Sequence, residues 1–179
     1  TMNTADRSIS VLDTALRRRF DFIELPPNYD DLSKVLEMRG VDEERMDGIN
    51  LPLLLKTMNE RIEFLLDKDH KIGHSVLMDV NDKESLVKVF VENIIPLLSE
   101  YFHNDYENIR RVLGDNKGWN KDEKYLIYKN RGINSKKLFG ADLDGFEDVD
   151  TYKLNEDLLE EKNFKDVSSE MFIQIYKEK

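Results

Sequence analysis

The sequence predicts a mainly α protein. A helical stretch over residues 26–114 is entered from the last strand–helix–strand part of an α/β layer and followed by a small α+β tail. Three observations carry this. Apolar residues recur at helical spacing between residues 30 and 113, with capping residues at Asn50, Asn81 and Asn104 ahead of three of the runs. Phe20, Phe22, Ile23 and Leu25 read as a short strand that Pro26-Pro27 stops. Beyond Asn116-Lys117-Gly118, short aromatic and apolar runs replace the helical pattern.

Each element has a local reason. The chain opens on a polar turn, Asn3-Thr4-Ala5-Asp6-Arg7, with no initiator Met, which is expected of a piece of a larger enzyme. Asp6 or Ser8 can cap a helix carrying Ile9, Leu12 and Leu16, and Arg17, Arg18 and Arg19 close its last turn, where cations suit the dipole. Asp30 to Met38 forms the next helix, stopped by Gly40. Asn50 caps a longer one from Leu51 to about Asp67, with Pro52 tolerated in the first turn.

Lys71 to Val76, short and containing Gly73, reads as a turn or short strand. Asn81 and Glu84 have capping-box spacing ahead of a helix holding Leu86, Val89, Phe90, Ile94, Leu97 and Leu98, which Pro96 should kink or divide. Asn104 and Glu107 repeat the spacing before a shorter helix ending at Gly114. Tyr125 to Tyr128 and Thr151 to Leu154 read as short strands around an acidic loop. Ser168 to Lys177 is an amphipathic helix presenting Met171, Phe172, Ile175 and Tyr176. The expected division is 1–25, 26–114 and 115–179, with its seam between Gly114 and Asn120.

Composition narrows the function. The formal net charge is −10, which argues against broad binding to nucleic-acid phosphates. Residues 140–170 hold eleven Asp and Glu against three Lys, so the tail carries much of the excess. No cysteine is present, which excludes disulfides and thiolate metal sites and suits a reducing cytoplasm. No apolar run approaches the roughly 20 residues of a membrane span. Neither a membrane partner nor a metal site is expected in this chain.

The turn at residues 3–7 gathers an amide, a carboxylate and a guanidinium. At the edge of an α/β sheet such groups point into the crevice where nucleotides bind, and a carboxamide there can hold an attacking water near a γ-phosphate. Equally, Asn3 and Asp6 can satisfy a turn and cap the next helix. Arg17, Arg18 and Arg19 repel one another unless anions meet them. Successive helical residues point about 100° apart, so they cannot serve one partner. One can pair with Asp13 and another can reach a phosphate; a solvated helix end is the plainer alternative.

MNTADRS, the helix ending LRRRF and the strand FDFIEL together resemble the sensor-1 region of AAA+ proteins and, within them, the McrB family. The later KIGHSVLM, the apolar helix with PLLSEYFHND, and a C-terminus in FIQIY are similar to the same family. The resemblance covers residues 1 to about 114 well and the tail loosely. It implies a helical AAA+ lid attached to the edge of a P-loop NTPase core, and a GTP-hydrolysing subunit of modified-cytosine restriction systems. On this resemblance Asn3 is the sensor-1 amide, Arg18 and Arg19 fall at the arginine finger with Asp13 orienting one of them, and Asp6 fixes Arg7 or caps the helix. Arg17 supports the same site. Gly73-His74-Ser75 lies where the lid approaches the nucleotide, without the arginine of a charged second sensor. The resemblance further implies GTP and Mg²⁺ in the intact protein, a hexameric ring, an McrC-type nuclease partner, and DNA contact through a region outside this chain.

No GxxxxGK[ST] loop is present, and no apolar strand ends in paired acids for Mg²⁺. The nearest spacing, Gly140 to Gly145, continues into Phe146-Glu147, whose carboxylate would repel phosphate. The chain alone is therefore expected to be catalytically inactive. Asp142, Asp144 and Gly145 echo a calcium loop, but Gly140 sits where another acid is needed. Trp119, Tyr125 and Tyr128 with Lys121, Lys124, Lys129 and Arg131 can form a nucleic-acid patch or a small core with solvated lysines. Two other readings remain: a MoxR-like ATP-driven remodeller, and a non-catalytic helical module whose acidic tail docks a basic partner.

Overall fold

A computed structural model describes residues 21, 23–116, 124–133 and 149–177. Among them the protein is mainly helical, with one two-stranded sheet. Residues 23–28 hold neither helix nor strand, and Ile23 and Leu25 are each 82% exposed. The expected turn and helix of residues 3–19 lie outside the described residues.

Helix α1 spans Tyr29–Met38 and begins at Asn28, whose side chain accepts the backbone N–H groups of Asp30 and Asp31. It ends where Gly40 takes a left-handed φ of +66°. Helix α2 spans Leu51–Leu65, with the Asn50 side chain accepting from the Leu53 N–H as expected. Its buried stripe is Leu51, Leu54, Leu55, Met58, Asn59 and Ile62, so a single amide interrupts an apolar face.

Between α2 and the next helix the chain makes two 3-10 turns, Lys68–His70 and His74–Leu77, where a turn or short strand was expected. Helix α3 spans Lys83–Val89. Its capping box closes on Asp82, not on Asn81: the Asp82 carboxylate accepts from the Ser85 N–H, and Ser85 Oγ accepts from the Asp82 N–H. The shorter serine performs the return bond that Glu84 was expected to supply.

Pro96 does divide the long apolar helix. A π-helical turn over Phe90–Ile94, in which the Ile95 N–H bonds Phe90 O, separates α3 from α4 (Ile95–Tyr101). Proline has no N–H to bond the preceding turn, and its ring crowds the carbonyl four residues back, so the widened turn relieves both problems. Helix α5 spans Tyr106–Leu113 and is capped by Asp105, which accepts from the Glu107 and Asn108 N–H groups. The expected cap, Asn104, instead takes a left-handed φ of +63° in the connecting turn. Gly114 ends α5 at φ +71°, and a Cβ there would stand 3.4 Å from both Arg61 Nη1 and Gln174 O.

Strands β1 (Ile127–Ile133) and β2 (Val149–Leu154) pair antiparallel, with Ile127 opposite Leu154 and an irregularity between Asn130 and Ile133. Helix α6 (Glu170–Tyr176) packs on α2 and α5. Its Phe172 meets Phe90 edge to face at 4.9 Å. Helical and tail residues thereby share one apolar core, from Leu32 through Leu113 to Ile175.

Polar clamps hold this joint. Arg61 on α2 donates to Val112 O at 2.8 Å and Ile175 O at 2.6 Å, satisfying carbonyls at two helix ends. The Tyr176 hydroxyl accepts from the Asn50 N–H at 2.9 Å. Asp115, fully buried, accepts the N–H groups of Leu126 and Ile127 and lies 3.3 Å from Gln174 Nε2.

Candidate functional site

The expected site residues Asn3, Asp6, Arg7, Asp13, Arg17, Arg18 and Arg19 lie outside the described residues, as do Trp119, Lys121, Gly140, Asp142, Asp144 and Gly145. His74 and Ser75 are described. They line a cleft of about 720 Å³ where residues 25–31 meet residues 71–75. That volume falls within the range of small-molecule sites.

The geometry of the cleft follows from three ties on the 71–80 segment. Asn59 Oδ1 accepts the Ile72 N–H at 2.6 Å, and Asn59 Nδ2 donates to Ile72 O at 2.9 Å. Both backbone polar groups of Ile72 are thus satisfied by one buried amide, which also reaches Tyr29 Oη at 3.2 Å. His74 Nδ1 accepts the backbone N–H of Asn28 at 3.1 Å, joining the turn to the start of α1. Arg39, after the last turn of α1, donates to Met78 O and pairs with Asp79 at 2.8 Å.

Accepting at Nδ1 leaves the neutral His74 ring as the Nε2–H tautomer, a hydrogen-bond donor at its other nitrogen. Ser75 is exposed beside it. The charge around the cleft is uneven. Asp30 and Asp31 stand on one side, and Lys71, its one lysine, is paired with Glu63 at 2.8 Å. Such walls disfavour phosphate. Among the described residues, no group of three or more His, Asp or Glu is arranged to hold a metal ion.

Sequence reasoning singled out His74 and Ser75 but passed over Asn28 and Asn59, which fix them in place. The signal for Asn59 was available. It falls on the apolar stripe of α2 between Leu55 and Ile62, where a polar side chain needs a buried partner.

The aromatic and basic cluster after residue 118 resolves in part. Tyr125 is buried, and Arg110 lies over its ring at 5.4 Å. Lys129 is held between Glu107 at 2.6 Å and Asp150 at 2.7 Å. Tyr125 belongs to the core, and Lys129 lies at the surface with its charge already met by two carboxylates.

A capped helical array with a cleft at its entry segment, joined by one two-stranded antiparallel sheet, defines a helical module. Residues 50–110 match the family described as McrB, alpha-helical lid domain. The chain is also 35% identical over 133 residues to the Type IV methyl-directed restriction enzyme EcoKMcrB subunit of Escherichia coli (strain K12). That match covers 64% of this chain and 28% of the relative. Residues 50–110 are thus similar to the helical lid of the McrB family, and the matched part spans about a quarter of the relative's length. No helix among the described residues is long and apolar enough to cross a membrane.

Proposed function

We propose that this chain supplies the lid, sensor-1 and arginine-finger elements of a GTP-hydrolysing AAA+ motor subunit in a restriction system directed at modified cytosine. The observation that carries the reading is the cleft where residues 25–31 meet residues 71–75 of the McrB-type lid. Its acidic lip favours the nucleoside over the phosphates. The triphosphate then lies toward residues 3–19, and the loop that cradles it belongs to another part of the protein.

In this reading Asn3 holds the attacking water, and Arg18 and Arg19 reach the nucleotide of a neighbouring subunit, with Asp13 orienting one of them and Asp6 fixing Arg7. Phosphoryl transfer depends mainly on such placement and charge neutralisation. Mg²⁺ would screen the β- and γ-phosphate charge when bound. His74 and Ser75 form the lid wall against the nucleoside. The motor assembles as a ring, activates an McrC-type nuclease, and contacts DNA through a separate region.

Comparing GTP and ATP hydrolysis by the intact protein tests this. The expected outcome is turnover of GTP, with ATP turnover lower by about tenfold or more. Preferential ATP turnover would favour a remodeller of the MoxR kind, and no turnover of either would favour a non-catalytic module.

A further inference from the structure

A second concavity, of about 610 Å³, adjoins the cleft and lies between α1, the 40–50 loop and the first turn of α2. Asp30, Glu37, Asp42 and Glu43 stand around it against one lysine, Lys56. All four acids are exposed, and no described lysine or arginine forms an ion pair with any of them. By contrast, Asp31, Asp47, Glu63, Asp79 and Glu107 each have a basic partner. Asp42 and Glu43 do accept hydrogen bonds, from the Arg45 N–H and Asn50 Nδ2, but these neutral donors leave the charge uncompensated. Between the acids the surface is apolar, with Leu53 41% exposed beside Pro52.

An acidic rim repels nucleotides and nucleic acid. An apolar floor beneath it fits a protein segment that sets cations beside an apolar anchor. This chain contains such a segment, Leu16-Arg17-Arg18-Arg19-Phe20, its only run of three consecutive cations. In the helix that the sequence predicts there, these arginines diverge by about 100° each. If Arg18 and Arg19 face a nucleotide, Arg17 needs a different anion.

We infer that the groove seats the Leu16–Phe20 segment of a second copy of the chain, with Arg17 answering Glu37 and Asp42 and a flanking apolar side chain on Leu53 and Pro52. The inference rests on the ring reading above and names one of its contacts.

Sedimentation velocity of the intact protein, with Mg²⁺ and a non-hydrolysable GTP analogue, tests it over a range of concentrations. The variants are Glu37→Lys with Asp42→Lys, Arg17→Glu, and all three together. Each charge reversal should raise the self-dissociation constant by about tenfold or more, and the combination should return it to within about threefold of wild type. Unchanged association, or a combined variant as weak as the two defects multiplied, overturns the contact. Thermal melts matching wild type exclude misfolding as the cause, since the altered acids are exposed. A wild type that assembles and hydrolyses GTP while every variant assembles normally removes this contact and leaves the motor reading standing. A wild type that does neither removes both.

Discussion

Asn59 and Ile72 satisfy each other completely: the buried amide accepts the Ile72 N–H at 2.6 Å and donates to the Ile72 carbonyl at 2.9 Å. An amide side chain offers one acceptor and two donors. Asn59 therefore acts as a one-residue strand partner inside a helical domain, with a donor left for Tyr29. It fixes the depth at which the 71–75 segment sits, and so sets one wall of the cleft.

Asn59→Ala strands a buried N–H and a buried carbonyl together. The expected loss of unfolding free energy is about 3 kcal/mol, because each orphaned group costs on the order of 1–3 kcal/mol. Urea unfolding at neutral pH measures it, and amide exchange should show the Ile72 N–H losing its protection. A loss below about 1 kcal/mol would mean that water replaces the amide and the tie is dispensable.

His74 joins the turn to Asn28 through Nδ1 and walls the cleft. In the intact protein, His74→Ala should raise the KM for GTP by about tenfold while kcat stays within about threefold, the signature of lost ground-state binding. Steady-state kinetics at varied GTP separates the two constants. A collapse of kcat at unchanged KM would instead assign His74 to the chemical step.

Asp115 offers a pH signature of the lid–tail joint. Burial pushes its carboxyl up from the ordinary 3.8 to about 7, against the opposing pull of the Ile127 and Leu126 N–H groups and the Arg110 charge. A raised folded-state value means the folded protein holds the proton more tightly than the unfolded chain. The contribution is whole below pH 3.8 and is lost as pH rises through 7. Its size is at most about 4 kcal/mol. Unfolding free energies at several pH values between 4 and 8 should fall as pH rises in wild type, and fall less in Asp115→Asn. Identical slopes in the two proteins would place the titration elsewhere.

The helices were legible because each carries its own signals: periodic apolar residues, a polar cap and a stop. Asn50, Gly40, Gly114 and Pro96 behave as their chemistry requires. At the helix starts the errors are one residue wide. Asn81 precedes Asp82, and Asn104 precedes Asp105, so two good caps compete at each start, and the backbone geometry of the connecting turn decides between them. Of the expected site residues, only His74 and Ser75 fall among the described residues, where they line a cleft. Asn59 escaped because its partner is a backbone group thirteen residues away, and sequence patterns do not display which backbone groups lack partners. The amphipathic face of the final helix was visible in Met171, Phe172 and Ile175. Its receiver, the surface formed by α2 and α5, depends on the tertiary fold.

The central claim is that this chain brings arginines to a neighbour's nucleotide, and Arg18→Ala and Arg19→Ala in the intact protein address it most directly. GTP binding and GTP hydrolysis are measured side by side on each variant. The account expects binding within about threefold of wild type and hydrolysis lowered by about a thousandfold, the scale of a lost arginine finger. Full turnover retained in both variants would contradict it.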